Sequence, residues 1–135
     1  MSNPVPQSND RSPPTPKALG QHLLVDLYRC RSLPDTAEQL QQLMETAARM
    51  VGATIVQSVF HEFEPHGLSG VVVIAESHLS IHVWPEFLTA SLDFFSCSEQ
   101  LDPTPGVAFI QKAFQAEEVN VENVMRGSKL SEYWP

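Results

Sequence analysis

Val71-Val72-Val73-Ile74-Ala75 and His78-Leu79-Ser80-Ile81-His82-Val83-Trp84 follow one another with only Glu76-Ser77 between them. The first is a continuous apolar run, the pattern of a strand buried on both faces or nearly so. The second alternates apolar and polar side chains, the period of a half-buried strand. Pro85 interrupts it. Two strands in direct succession leave no room for the crossover helix that parallel neighbours need. The pair argues against a doubly wound parallel fold.

Reading outward, Ala53 to Phe63 is β-branched and apolar, a further strand, and Glu64-Pro65-His66-Gly67 is a turn. Upstream, Leu40, Leu43, Met44, Ala47 and Val51 recur at helical spacing. Asp35 with Glu38 three residues on predicts the capped start of that helix. Gly52 predicts its end. Leu23, Val25 and Leu27 alternate with Leu24, Asp26 and Tyr28, a first strand. Downstream, Leu92, Phe94 and Phe95 mark a strand. Pro103 and Pro105 suit a helix entry, and Val107, Ile110, Ala113 and Phe114 give its buried stripe. Val119 and Val121 suggest a last strand. The order β-α-β-β-β-β-α-β predicts an α+β two-layer sandwich, a mostly antiparallel sheet with two helices on one face.

The chain has 135 residues, enough for one domain with a core that needs no staples. Residues 1–16 hold five prolines and no apolar period, the composition of a disordered tail. The domain is expected over 17–127, with a C-terminal tail over 128–135. Eight Lys and Arg stand against sixteen Asp and Glu, a net charge of −8. That balance excludes a basic footprint for nucleic acid and disfavours anionic membranes. From Ser32 to Met125 there are two cations against thirteen acids, a field that favours a cationic small molecule. Two cysteines, no signal-peptide pattern and no membrane-length apolar run predict a cytoplasmic protein with reduced thiols.

Functional side chains are densest in Glu76-Ser77-His78-Leu79-Ser80-Ile81-His82-Val83-Trp84-Pro85-Glu86. Zinc is one reading, through His78, His82 and Cys97. In an extended strand, however, residues four apart sit about 13 Å from each other, too far for one metal to bridge. A Ser-His-acid triad is another, but the nucleophile elbow G-x-S-x-G is absent. Strand parity also puts Ser77 and His82 on opposite faces unless the chain bends or is cut between Glu76 and Ser77.

The same eleven residues resemble the processing motif of the small prokaryotic S-adenosylmethionine decarboxylases, a pyruvoyl-dependent family. Leu19-Gly20-Gln21-His22-Leu23-Leu24-Val25-Asp26-Leu27-Tyr28 resembles that family's first strand. Gly52-Ala53-Thr54-Ile55-Val56 and Gly67-Leu68-Ser69-Gly70-Val71-Val72-Val73 resemble the strands before the motif. Asp93-Phe94-Phe95-Ser96-Cys97 resembles the strand carrying the family's catalytic cysteine. The resemblance runs from about Lys17 to Gly127.

It implies a proenzyme that cuts itself between Glu76 and Ser77, giving a β chain 1–76 and an α chain 77–135. Ser77 is implied as nucleophile and as precursor of a covalent pyruvoyl cofactor, with no metal. His82 and Ser69 are implied as processing residues, and His82 as the base for the Ser77 α-proton. Cys97 is implied as the acid that protonates the substrate carbon; a thiol titrates close enough to neutral pH to donate. Phe63, Trp84 and Glu86 match the substrate pocket, aromatic faces for adenine and a carboxylate for the ribose hydroxyls. The implied product is decarboxylated S-adenosylmethionine, the aminopropyl donor for spermidine. The implied assembly is a homo-oligomer of processed protomers with the site near the interface. Two positions depart from the motif: Val83 stands where Thr is usual, and Ser98 where Gly usually follows the cysteine. The same scaffold hosts decarboxylases for arginine or ornithine, also cationic, which stay open as alternatives. So does a non-catalytic partner subunit, against which Ser77, His82 and Cys97 together weigh.

Overall fold

The computed structural model describes residues 15–134. Its elements are β1 (Gly20–Cys30), α1 (Ala37–Met50), β2 (Ile55–Glu62), β3 (Leu68–Ile74), β4 (Ser77–Trp84), β5 (Thr89–Ser96), α2 (Thr104–Phe114), β6 (Ala116–Arg126) and α3 (Leu130–Tyr133). A 3-10 turn over Pro85–Phe87 joins β4 to β5. The six strands form one sheet in the order β2-β3-β4-β5-β1-β6, and every neighbouring pair is antiparallel. The α+β architecture and the element order agree with the periodicity.

Period decides which side chains go inside. In β4, Leu79, Ile81 and Val83 are buried; in β5, Ala90, Leu92, Phe94 and Ser96. These meet Leu40, Met44 and Ala47 of α1 and Val107, Ile110 and Phe114 of α2 in one core. Both long helices lie on that face, α1 over β2 and β3, α2 over β1 and β6. Phe60 fits because its cross-strand partner is Gly70: a Cβ there would sit 1.9 Å from the Phe60 ring.

The helices leave the other face of the sheet open. The expectation that Val71 to Ala75 is buried on both faces is corrected here. β3 buries Leu68, Gly70, Val72 and Ile74, while Val71 and Val73 are 38% and 40% exposed beside Leu24 and Val59. Among the described residues no second layer lies over that face. The start of α1 is also corrected. Thr36, not Asp35, is the N-cap; its side chain accepts from the Gln39 N–H, and the Gln39 side chain accepts from the Asp35 N–H. The cap lies one residue later than expected, and the Gln39 side chain reaches past it to the residue before, so the contacts are not the reciprocal pair of a capping box. Gly52, at φ +80, follows the helix end as expected.

Most of the N-terminal tail, residues 1–14, lies outside the described residues. Thr15 Oγ1 donates to the Trp134 carbonyl at 2.9 Å, so the start and end of the described chain meet. The stretch read as a C-terminal tail carries the short α3. Among the described residues no helix is long and apolar enough to cross a membrane.

Candidate active site

Ile74 pairs with Ser77, so Ala75-Glu76 is a two-residue hairpin loop and the Glu76–Ser77 peptide lies at its exit. Three hydrogen bonds hold the loop, two between backbone groups and one to the Glu76 side chain. The Ala75 N–H donates to the Thr54 carbonyl at 2.8 Å, the Thr54 N–H to Glu76 Oε1 at 3.2 Å, and the Cys97 N–H to the Glu76 carbonyl at 3.0 Å. That last bond polarises the carbonyl preceding Ser77 and is aimed where negative charge would collect during attack on it. Ser77 has φ +154, backbone that side-chain-bearing residues rarely adopt. Ser77 pairs with Ser96, which puts the exposed Cys97 beside the same peptide. A cavity of about 800 Å³ opens next to Cys97, lined by Ala18, Gly20, Gln100 and Met125 among others.

The other sequence-predicted residues gather at the far end of β3 and β4. Ser69 pairs directly with His82, and its hydroxyl donates to the Ile81 carbonyl at 3.3 Å. The His82 ring centroid lies 4.3 Å from Trp84 and 5.9 Å from Phe63. Phe63 sits just past β2, where its N–H donates to the Gly67 carbonyl at 2.8 Å. Glu86 follows Trp84 in the 3-10 turn, with Oε2 at 3.0 Å from His66 Nε2.

The candidates thus fall into two groups. Glu76, Ser77 and Cys97 form one; Phe63, Ser69, His82, Trp84 and Glu86 form the other. Ser77 and His82 lie five residues apart on one unbroken strand, about 16 Å at a rise near 3.3 Å per residue. Within a single chain the fold does not bring His82 to Ser77.

A cluster on the open face escaped the sequence reading. His22 and Ser80 both bond the Asp93 carboxylate, and His78 Nε2 lies 3.6 Å from it. Arg126 Nη1 lies 3.0 Å from His22 Nδ1. Burial alone would push the Asp93 carboxyl up. The Ser80 and His22 hydrogen bonds and the nearby imidazoles outweigh that and hold it below its ordinary range. His22, His78 and Asp93 are close enough to share a cation. The Arg126 guanidinium can only donate, however, so a hydrogen bond between it and His22 needs Nδ1 as the acceptor. The chemistry of the donor set is that of a hydrogen-bonded chain. These residues come from β1, β4, β5 and β6, and no local spacing announces them.

Residues 21–127 match the family model described as S-adenosylmethionine decarboxylase. The chain is similar to the S-adenosylmethionine decarboxylase proenzyme of Thermotoga maritima, 47% identical over 112 residues, covering 82% of this chain and 86% of that one. To the proenzyme of the same description from Caldanaerobacter subterraneus it is 43% identical over 111 residues, covering 82% and 90%. The fold is similar to the crystal structure of the adenosylmethionine decarboxylase from Aquifex aeolicus, with a TM-score of 0.75 at 33% identity, covering 83% of this chain and 93% of that one.

Proposed function

Because the chain belongs to the S-adenosylmethionine decarboxylase family, we propose that it is a self-processing enzyme that converts S-adenosylmethionine to its decarboxylated form and carbon dioxide. The observation that carries the reading is the Glu76–Ser77 peptide. Its carbonyl is bonded by the Cys97 N–H at 3.0 Å, and its serine has a φ of +154. These features fit a chain that converts its own Ser77 to a pyruvoyl group.

Processing uses the chain's own atoms. The Ser77 hydroxyl attacks the Glu76 carbonyl carbon, the Cys97 N–H stabilises the resulting oxyanion, and the amide becomes an ester. His82 removes the Ser77 α-proton, which expels the Glu76 carboxylate. Hydrolysis of the remaining dehydroalanine releases ammonia and leaves the pyruvoyl group at the head of an α chain of residues 77–135, with a β chain of 1–76. Once formed, that group supplies a ketone for the substrate amine and an adjacent amide to take up the electrons left by carbon dioxide. The Cys97 thiol donates the proton that closes the cycle. Phe63 and Trp84 offer aromatic faces to adenine, and Glu86 accepts from the ribose hydroxyls.

The gap of about 16 Å between Ser77 and His82 supports a site made by two copies of the chain. The apolar open face of the sheet is the surface they would share, with Leu24, Val59, Val71 and Val73 on it. A two-fold axis between two such faces sets the Ser77 end of one copy against the His82–Ser69 end of the other.

The test is direct. Purified protein should separate into chains of 76 and 59 residues without added protease, and the shorter should resist N-terminal sequencing because a ketone replaces its amine. Carbon dioxide release from carboxyl-labelled S-adenosylmethionine should exceed that from arginine or ornithine at equal concentration. A single uncut chain after long incubation would refute the pyruvoyl reading, and preferred release from either amino acid would refute the substrate alone.

A further inference from the structure

We propose that His66 is a positioning residue for substrate binding: its imidazole braces Glu86 so that the carboxylate meets the substrate's ribose hydroxyls already oriented. The inference rests on the reading of Glu86 as the ribose acceptor and adds a residue that neither the motif nor the composition singles out.

His66 Nε2 stands 3.0 Å from Glu86 Oε2, and the two side chains are 48% and 34% exposed. Glu86 Oε1 has no ion-pair partner among the described residues, so one carboxylate oxygen is engaged and the other is left for a ligand. A glutamate on a short surface turn has several rotatable bonds to freeze when a ligand arrives. Holding one oxygen in advance removes part of that cost. The brace is itself well anchored. His66 belongs to the β2–β3 turn, which is closed by the Phe63 N–H to Gly67 carbonyl bond of 2.8 Å. Gly67 holds φ +114, where an L side chain is strained, and a Cβ there would meet the Val83 carbonyl at 3.7 Å and Phe63 Cβ at 3.8 Å. One turn therefore presents two things. Phe63, at its start, is the proposed wall for the base; His66, near its end, holds the proposed acceptor for the sugar. Trp84 ends the strand paired with β3, where Leu68 is opposite Val83, and Glu86 lies in the turn that follows it. The base and sugar contacts are thereby kept in register by the β3–β4 pairing.

The experiment compares His66→Ala and His66→Gln with the wild-type processed enzyme, on S-adenosylmethionine and on an analogue lacking the ribose 2′- and 3′-hydroxyls. His66→Ala should raise KM for S-adenosylmethionine by about three- to tenfold, with kcat little changed and self-cleavage complete. His66→Gln, which keeps an N–H donor, should restore most of the KM. On the deoxy analogue His66→Ala and wild type should have the same KM, and adding His66→Ala to Glu86→Gln should cost nothing further. An unchanged KM in His66→Ala, or an equal loss on the deoxy analogue, would overturn the brace while leaving the enzyme reading intact. A wild-type protein that neither cleaves itself nor turns over S-adenosylmethionine would overturn the underlying reading, and the brace with it.

Discussion

Cys97 contributes two separable groups to one centre. Its backbone N–H holds the Glu76 carbonyl, and its exposed thiol is proposed to deliver the final proton. Cys97→Ala keeps the first and loses the second. Self-cleavage should persist on denaturing gels, at a reduced rate at most, while carbon dioxide release falls by roughly a hundredfold or more, the usual worth of a positioned general acid. Asp93 makes a different kind of prediction. Its carboxyl is held below the ordinary range in the folded state, so in the acid region the unfolded chain binds more protons than the native one. The stabilisation it brings is complete above its unfolded pKa and drains away as pH falls through the folded one. The melting-temperature gap between wild type and Asp93→Asn should therefore shrink from about pH 6 to about pH 3. A gap that stays constant would mean that the His22 and Ser80 contacts do not hold Asp93 ionised.

The β3–β4 hairpin carries residues of both proposed halves of the site, and β3 is paired on its other side with β2. Gly70 of β3 lies opposite Phe60 of β2 in that second pairing. Because a Cβ would fall 1.9 Å from the Phe60 ring, Gly70→Ala must push Phe60 out of its place across the pair. A loss of about 1–3 kcal/mol is expected, measurable by urea unfolding of the uncleaved Ser77→Ala protein. In that background Thr36→Ala should cost about 0.5–2 kcal/mol, since it removes the acceptor for the Gln39 N–H at the start of α1. The two variants separate what was legible at this scale from what was not. A helix starting near Asp35 could be read from its apolar period, but the cap lay one residue away, where Thr36 and Gln39 could pair. The need for glycine at position 70 could not be read at all, because it depends on the side chain across the pair.

Across the whole molecule, the helices cover one face of the sheet and leave Leu24, Val59, Val71 and Val73 on the other. If two copies share that face as proposed, each site draws Ser77 from one chain and His82 from its partner. Ser77→Ala and His82→Ala should each fail to process alone. Coexpressed, they should form mixed pairs in which the His82→Ala chain is cut, because its intact Ser77 meets the intact His82 of the Ser77→Ala chain. Mass spectrometry identifies which chain is cleaved. No cleavage in the mixed pair, alongside normal cleavage of wild type, would place both residues in one chain and require β4 to depart from its present path.

Helical and strand periods, the proline stops and the density of functional side chains from Glu76 to Glu86 were enough for the element order, the antiparallel α+β class and the family resemblance. These are local properties: each depends on side chains within a few residues of one another. Three matters depended on contacts between distant segments, and only the tertiary structure decided them. Val71 and Val73 read as buried on both faces or nearly so, yet burial of the second face requires a layer that the described residues do not supply. Strand parity already set Ser77 and His82 apart, but that β4 runs unbroken between them, over about 16 Å, is decided by its pairing with β3 and β5 on either side. His22, Asp93 and Arg126 showed no pattern in the sequence, because they meet only when β5, β1 and β6 lie side by side. His66 belongs with them: its contact with Glu86 exists because pairing of β3 with β4 sets the two adjoining turns together.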